Sequence, residues 1–352
     1  MGATGGGTNQ YTRNGIMRLA GVSVRADSLV AQTVDSSARR YHCGEIWRSQ
    51  CPILIGPPDW RHDNHPDHQA KMAAAAAQDL NPAVLEHLGG DSNASVRAKV
   101  AANKTCPYKT LVRLSRDLDN EVSMAVASSL SCPSDILGRL SRDERDSVRQ
   151  AVGGNSSSPP DVLDNLSRDY TKIRMAVAGN QSCLAPTLDH LSRNIDGDVR
   201  REVANNPNCS RATWERLSQD HDEYVRLELA ANSHCPPDIL RSLSRDQVWQ
   251  VQMAVASNSA STTSALEPLT VHKDADIRSG VARNQSCPPE IMEQLSRDPN
   301  KDVRYTVATN PTCPARTLEC LLSDTESSVA WAAARNPKLP PGALAMWQLA
   351  NR

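Results

Sequence analysis

Seven cysteines mark time along this chain. The intervals between Cys106, Cys132, Cys183, Cys209, Cys235, Cys287 and Cys313 are 26, 51, 26, 26, 52 and 26 in sequence number. Ser158 and Ser261 stand in the cysteine position where a gap is two periods wide, and a residue missing between Asp169 and Ile173 turns one 52 into 51. Other columns keep the same beat. Ser-Arg-Asp occurs at 115–117, 141–143, 167–169, 244–246 and 296–298. Asn recurs at 103, 155, 180, 206, 232, 258, 284, 310 and 336, with Ser129 the exception. A period this regular means a solenoid, in which each unit buries its apolar face only against its neighbours. Composition agrees: 39% of residues are hydrophobic, 3% are aromatic and Phe is absent. Thin layers of Val, Leu and Ala suit such a chain better than one thick core.

Each unit carries two helical patterns. The first is Leu-x-x-Leu, as in Leu111/Leu114, Leu137/Leu140, Leu163/Leu166, Leu188/Leu191 and Leu240/Leu243, with Trp214/Leu217 and Met292/Leu295 as variants. The second is a branched residue, then Val four later, then a small residue, as in Val122/Val126/Ala127 and Val148/Val152/Gly153. Spacings of three and four put these side chains on one helix face, and the alternation a strand requires is absent. The small residue lets adjacent units approach closely. Asn is expected to close the second helix in a left-handed conformation. Pro after the cysteine suits the first turn of the next helix, and Ser-x-Asp supplies oxygen acceptors for the helix start that follows it. The pattern runs from about residue 70 to residue 352, about eleven units. Ala73–Ala77 reads as the second helix of an incomplete opening unit, and Leu344 and Trp347 place a final first helix as a cap.

The unit Leu-Ser-Arg-Asp-x-x-x-x-Val-Arg-x-x-Val-Ala-x-Asn-x-x-Cys-Pro resembles the bacterial leucine-rich repeat variant, a HEAT-like repeat. The resemblance covers about four fifths of the chain and recurs in register. It implies an all-α, right-handed superhelix of short helices, some of them 3₁₀, and it implies no activity. Some members of that family carry an iron–sulfur domain held by four cysteines before the repeats. Residues 1–69 hold only Cys43 and Cys51, so the expectation is that no such cluster is present.

Lys plus Arg total 39 and Asp plus Glu 40, which argues against a protein whose main task is to coat nucleic acid or an anionic membrane. No run of 18 apolar residues exists and the first 40 residues lack an apolar signal core, so the expected location is cytoplasmic. The cysteine column reads as structural thiols. Stacked helices lie ~8–10 Å apart, while a disulfide needs Cα atoms within ~7 Å. Two arginine columns carry more interest. One follows the branched residue: Arg97, Arg149, Arg174, Arg200, Arg226, Arg278 and Arg304. The other lies in Ser-Arg-Asp and includes Arg116, Arg142, Arg168, Arg193, Arg245 and Arg297. On a concave face, a row of fixed guanidinium groups docks phosphates or acidic segments. The competing arrangement pairs the first column with the aspartates at 91, 117, 143, 169, 220, 246, 298 and 324, and the near-equal columns of both signs favour it.

Residues 1–15, rich in Gly and Thr, are expected to be disordered, and 16–69 to form a cap over the first unit, with Trp47, Ile53, Leu54, Ile55 and Trp60 packing on its end. That segment also holds the one metal-like set, Cys43, Cys51, His62, His65 and His68. Two Cys and two His complete a tetrahedral zinc site. Against zinc stand the eight-residue Cys spacing and Pro66, which interrupts the helix that would align the histidines. One unit breaks the repeat code: Gln252 replaces Arg, His272 replaces Asp, and Trp249 stands among polar positions. Such departures mark strain, drift or a site, here a partner docking against Trp249. No phosphate loop, nucleophile elbow or metalloprotease motif occurs. The sequence therefore points to a non-catalytic scaffold that binds a protein or peptide along one face. Nucleic-acid binding through the arginine rows and a metal-dependent sensory role of the N-terminal segment are its alternatives.

Overall fold

The structure, a computed structural model, describes residues 16–19, 22–25, 66–77 and 80–351. The chain divides into two compact units, Met1–Pro107 and Tyr108–Arg352. In the first, β1 (Ile16–Leu19) and β2 (Val22–Arg25) pair antiparallel, with Ile16 opposite Arg25 and Leu19 opposite Val22. The tail 1–15, most of the expected cap and its anchors Trp47 to Trp60 lie outside the described residues.

From residue 66 onward the described chain is helical and alternates between two kinds of helix. It opens with a second-type helix, Pro66–Ala75, passes through ten complete pairs from Pro82–Leu88 and Ala94–Ala102 to Ala315–Leu321 and Ser327–Arg335, and closes with a first-type helix, Pro341–Ala350. The repeat region is thus an all-α solenoid of two-helix units with a half-unit at each end. Pro66 does not interrupt a helix; it begins one, where its missing N–H has no intrahelical partner to lose.

The apolar columns form the core. Leu111, Leu137, Leu163 and Leu188 from first helices, and Val122, Val148, Ile173 and Val199 from second helices, are at most 1% exposed. Trp214 takes a Leu position and is buried too. Within Tyr108–Arg352 each second helix packs against the next second helix more closely than first helices pack on each other. The small column makes this approach feasible. A Cβ on Gly153 would stand 3.2 Å from Val177 Cγ2 of the next unit, and Ala127, Ala178, Ala204 and Ala230 occupy equivalent buried positions. A larger side chain in this column would overpack the interface, at about 1–3 kcal/mol.

Two side-chain relays stitch unit to unit. At one edge the aspartate of Ser-Arg-Asp folds the turn and hands on to the helix cap. Asp117 Oδ1 accepts from Asp119 N (3.0 Å), and Asp119 Oδ1 accepts from Glu121 N at the start of Asn120–Ser128 (2.9 Å). At the opposite edge the asparagines form a ladder. Asn258 Nδ2 donates to Ala230 O (2.7 Å) and Asn232 O (2.9 Å), and its Oδ1 accepts from Ala260 N (2.8 Å). The same triad repeats at Asn155, Asn206, Asn284, Asn310 and Asn336. These asparagines are not left-handed as expected; Asn103 has φ −73° and ψ 128° and Asn206 φ −81° and ψ 127°. The requirement here is not a helix stop alone. The amide must reach the preceding unit's helix-end carbonyls, and an extended backbone aims it there while satisfying buried acceptors.

The cysteines behave as small buried donors. The thiols of Cys132, Cys235, Cys287 and Cys313 point at the carbonyl of the following proline at 3.8–3.9 Å. Ser158 and Ser261 instead donate to Val152 O and Val255 O at 2.6 Å, the carbonyl six residues back that Cys209 uses at 3.2 Å. Burial pushes the thiols of Cys132, Cys183, Cys209, Cys235, Cys287 and Cys313 up to about 12. All the cysteines of the described residues are free, and those in the column are inert neutral thiols.

Candidate binding face

The first arginine column turns inward. Arg200 Nη1 donates to Asn194 O (2.8 Å) and Ile195 O (3.1 Å), clamping its own unit's turn. Its Nε and Nη2 form a fork on Asp220 of the next unit at 2.7 and 2.9 Å. The Arg and Asp side chains are only 6% and 7% exposed. The same rung, at the same offset in sequence, joins Arg149 to Asp169, Arg226 to Asp246, Arg278 to Asp298 and Arg304 to Asp324. Arg97 clamps its own turn through Asp91 O (2.9 Å) and Ser92 O (3.1 Å). These bidentate, charge-assisted pairs are the competing arrangement the sequence allowed. Arg168, Arg193 and Arg297 of the second column lie exposed and pair with Asp164, Asp189 and Glu293 four residues back on their own helices.

Three rungs are rewritten, and each has a local logic. Where Ser123 replaces the arginine, Arg145 reaches in from the next unit's turn. Its fork holds Asp143 (2.8 and 2.8 Å) and its Nη2 also meets Ser123 Oγ (2.9 Å). At Gln252 and His272 both partners change together. Gln252 Nε2 still donates to Asp246 O (2.9 Å), and His272 Nδ1 still accepts from Asp274 N (3.0 Å). Two of the departures around Trp249 are therefore the two halves of one rung. At the third, Asn194 stands where Arg174 would find its aspartate. Arg174 Nη2 meets Thr171 Oγ1 (3.1 Å), and its Nε is buried with no partner.

Half-exposed aromatic rings stand on the second helices. Trp249 is the first residue of Trp249–Ser257 and is 54% exposed. Sequence reasoning singled out that residue and missed its companions. Tyr224, Tyr305 and Trp331 are likewise about half exposed, all on second helices. Tyr305 and Trp331 share a column one period apart, the signal that could have found them. Several of these rings are braced. The Arg201 guanidinium sits 5.7 Å over Tyr224 while its Nη1 bonds Asp198 (3.1 Å) and its Nη2 Glu228 (3.5 Å). Arg335 sits 5.9 Å over Trp331, which meets Trp347 edge-on at 4.8 Å.

An open groove of about 410 Å³ lies on the same face, across the second helices Asp146–Gly154, Thr171–Ala178 and Gly197–Asn205. Gly154, Gly179, Met175, Lys172 and Glu202 line it. Glycine at 154 and 179 leaves the floor open. A Cβ at 154 would meet nothing within 4 Å, and one at 179 would stand 3.1 Å from Glu202 Oε2. Burial, then the neighbouring Glu228 carboxylate, push the Glu202 pKa up.

His68, the one member of the metal-like set whose side chain is described, is 2% exposed, and its Nδ1 lies 3.0 Å from Asn93 Nδ2 in the packing of the opening half-unit. Cys43, Cys51, His62 and His65 lie outside the described residues. Among the described residues no group of three or more His, Cys, Asp or Glu could hold a metal ion, and no helix is long and apolar enough to cross a membrane.

No family model matches the sequence, and no curated protein does. Solved structures do. A leucine-rich repeat variant with a novel repetitive structural motif is 27% identical, with 57% of this chain and 81% of that chain covered and a TM-score of 0.43. An engineered protein is 15% identical over 75% of this chain and 95% of its own, with a TM-score of 0.19. Computationally designed armadillo repeat proteins for modular peptide recognition are 10% identical over 76% and 99%, with a TM-score of 0.17. On its own columns and rungs the chain is a helical repeat solenoid, and a leucine-rich repeat variant and designed armadillo repeat proteins are among the solved structures it is similar to.

Proposed function

We propose that the chain is a non-catalytic scaffold that binds a protein or peptide partner along its second-helix face. The observation that carries this reading is the set of half-exposed rings, Tyr224, Trp249, Tyr305 and Trp331, held outward on consecutive or near-consecutive second helices. Aromatic side chains supply large contact area at low entropic cost and dominate binding hot spots. A solenoid presents such side chains at a fixed repeat, so many weak contacts add along one direction. The rung geometry favours this reading over a nucleic-acid groove, because the guanidinium groups of the first column, Arg174 excepted, face aspartates and turn carbonyls rather than solvent.

The test is capture from native lysate on the tagged chain, with and without nuclease, for the wild type and for a variant carrying Trp249→Ala and Tyr305→Ala. The reading expects a discrete protein that survives nuclease and whose yield falls at least tenfold with the variant. An unchanged yield sinks the aromatic face as the docking surface. A catch that disappears with nuclease turns the assignment to nucleic acid, which would also show a steep loss of affinity with salt.

A further inference from the structure

The groove over Gly154 and Gly179 is the most specific feature of the second-helix face, and its chemistry selects an occupant. Its floor is bare backbone and Met175, a soft apolar wall. At one end stands Glu202, part-buried, with no hydrogen bond or ion pair among the described residues. The surrounding charge is of both signs and mostly committed elsewhere. Arg201, the adjacent cation, is tied to Asp198, Glu228 and the Tyr224 ring. Lys172 lines the opposite side, exposed, and makes no ion pair within 4 Å. A carboxylate drawn part-way out of water beside another carboxylate is stabilised by a cation that arrives with its own apolar stem.

We propose that this groove takes the side chain of a lysine or arginine from an extended peptide partner, with Glu202 as its counter-charge and Met175 and the glycine floor against its methylene stem. This rests on the scaffold reading and adds the class of side chain the partner brings. The stem of a lysine or arginine reaches the carboxylate only because positions 154 and 179 lack side chains. Phosphate groups and acidic side chains are repelled at the Glu202 end, where Glu228 adds to the negative charge. Tyr224 stands on the next second helix, with Arg201 over its ring, so an extended partner would pass from the groove directly onto the aromatic stretch.

Two substitutions separate the site from the fold. Glu202→Gln keeps shape and removes charge. Gly154→Leu starts into open space at the end of a helix, where leucine is the better helix former, and puts an apolar side chain on the groove lining. The probe is a fluorescein-labelled decapeptide of alternating lysine and threonine, with its glutamate counterpart, read by anisotropy on the full chain. Expected are saturable binding of the lysine peptide alone and at least tenfold weaker binding by both variants, with Glu121→Gln, a distant surface acid, unchanged. Absence of saturable binding by the wild type, or equal binding by wild type and both variants, overturns the proposal. A loss in Glu121→Gln equal to that in Glu202→Gln does so as well, since it would mean diffuse charge attraction. If lysate capture depends on Trp249 and Tyr305 while Glu202→Gln changes neither capture nor peptide binding, the scaffold stands and the cation pocket falls. If capture is indifferent to the rings, the aromatic face fails as the docking surface, whatever the peptide does.

Discussion

The rungs at Arg278–Asp298 and Arg304–Asp324 share two hydrogen bonds with the rung at Gln252–His272 and differ from it in charge. In all three the first partner donates to the carbonyl six residues back, at 2.7, 2.9 and 2.9 Å. In all three the second partner accepts from the backbone N–H two residues on. Gone at Gln252–His272 are the charged fork between units and the longer second bond, 3.4 Å, that Arg278 and Arg304 make to the carbonyl five residues back. The hydrogen-bonding duties are therefore indispensable to the turn, whereas the ion pair is an addition that can be removed if both charges leave together. This is what the desolvation balance of buried pairs predicts: a pair is close to neutral against an uncharged substitute, but one charge left alone is expensive.

That reasoning is broken or upheld most strongly at Arg200 and Asp220, whose side chains are 6% and 7% exposed. Arg200→Ala strands a buried carboxylate and frees two turn carbonyls, and we expect a loss of about 3–5 kcal/mol. The double change Arg200→Gln with Asp220→His copies the natural neutral rung and should lose only about 1 kcal/mol. Hydrogen exchange over Gly197–Asn205 is the measurement, because a long array opens locally and one global denaturation midpoint would average the effect. Equal losses for the single and double variants would show that the charge, and not its isolation, matters.

The swapped rung gives a second, smaller contrast. Arg145→Ala removes the fork on Asp143 and the bond to Ser123 at a site where the arginine is 31% exposed, so the loss should be nearer ~1–2 kcal/mol. Adding Ser123→Arg should restore most of it by returning the guanidinium to its usual column, and protection of the Asn120–Ser128 amides reports both steps. No rescue would mean that Arg145 acts through its turn and not through the rung. This rung also shows what the sequence could disclose. Columns in register were legible: the two helices, an opening half-unit (its helix runs Pro66–Ala75 rather than Ala73–Ala77), the inert thiols and the pairing of arginines with aspartates. Arg145 was not, because it fills a column's function from off the column. Nor was the groove, since Gly154 and Gly179 read as ordinary helix ends until three helices are side by side. The left-handed expectation for the asparagines failed for the same reason. Local helix chemistry suggested a stop, while the carbonyls of the preceding unit dictated an extended backbone that a one-dimensional reading does not weigh.

Acid should discriminate between rungs rather than melt them together. Hydrogen bonds from Arg145, Arg149 and Arg304 hold the carboxyls of Asp143, Asp169 and Asp324 below their ordinary range. A depressed folded pKa contributes stability that is fully present above the unfolded value of ~3.9 and disappears as pH falls through the folded value. The rungs should hold unchanged from neutral pH down to about pH 4–5 and loosen below it. The Gln252–His272 rung has no carboxylate to protonate. Exchange protection of Trp249–Ser257 should consequently fall less between pH 5 and pH 3 than protection of Lys301–Thr309 does. Parallel losses would mean that acid acts on the caps or the core and not on the forks.

The smallest effect, and the only one expected to stabilise, lies at the rung that is half broken. Arg174 has kept its charge, its Nε is buried without an acceptor, and position 194 offers Asn. Asn194 already performs the turn duty, accepting from Asp196 N at 3.0 Å, so Asn194→Asp changes charge without changing shape. The new carboxylate would stand as far beyond Arg174 in sequence as the aspartate of every intact fork stands beyond its arginine. It would supply the missing acceptor, against repulsion from Asp196 close by. A gain of about 0.5–1 kcal/mol follows, small because the site is partly exposed. Protection over Thr171–Ala178 should rise with the substitution in the wild type and not in an Arg174→Gln background. A gain that persists without the guanidinium would belong to the turn alone, and the contrast between charged and neutral rungs would lose its third case.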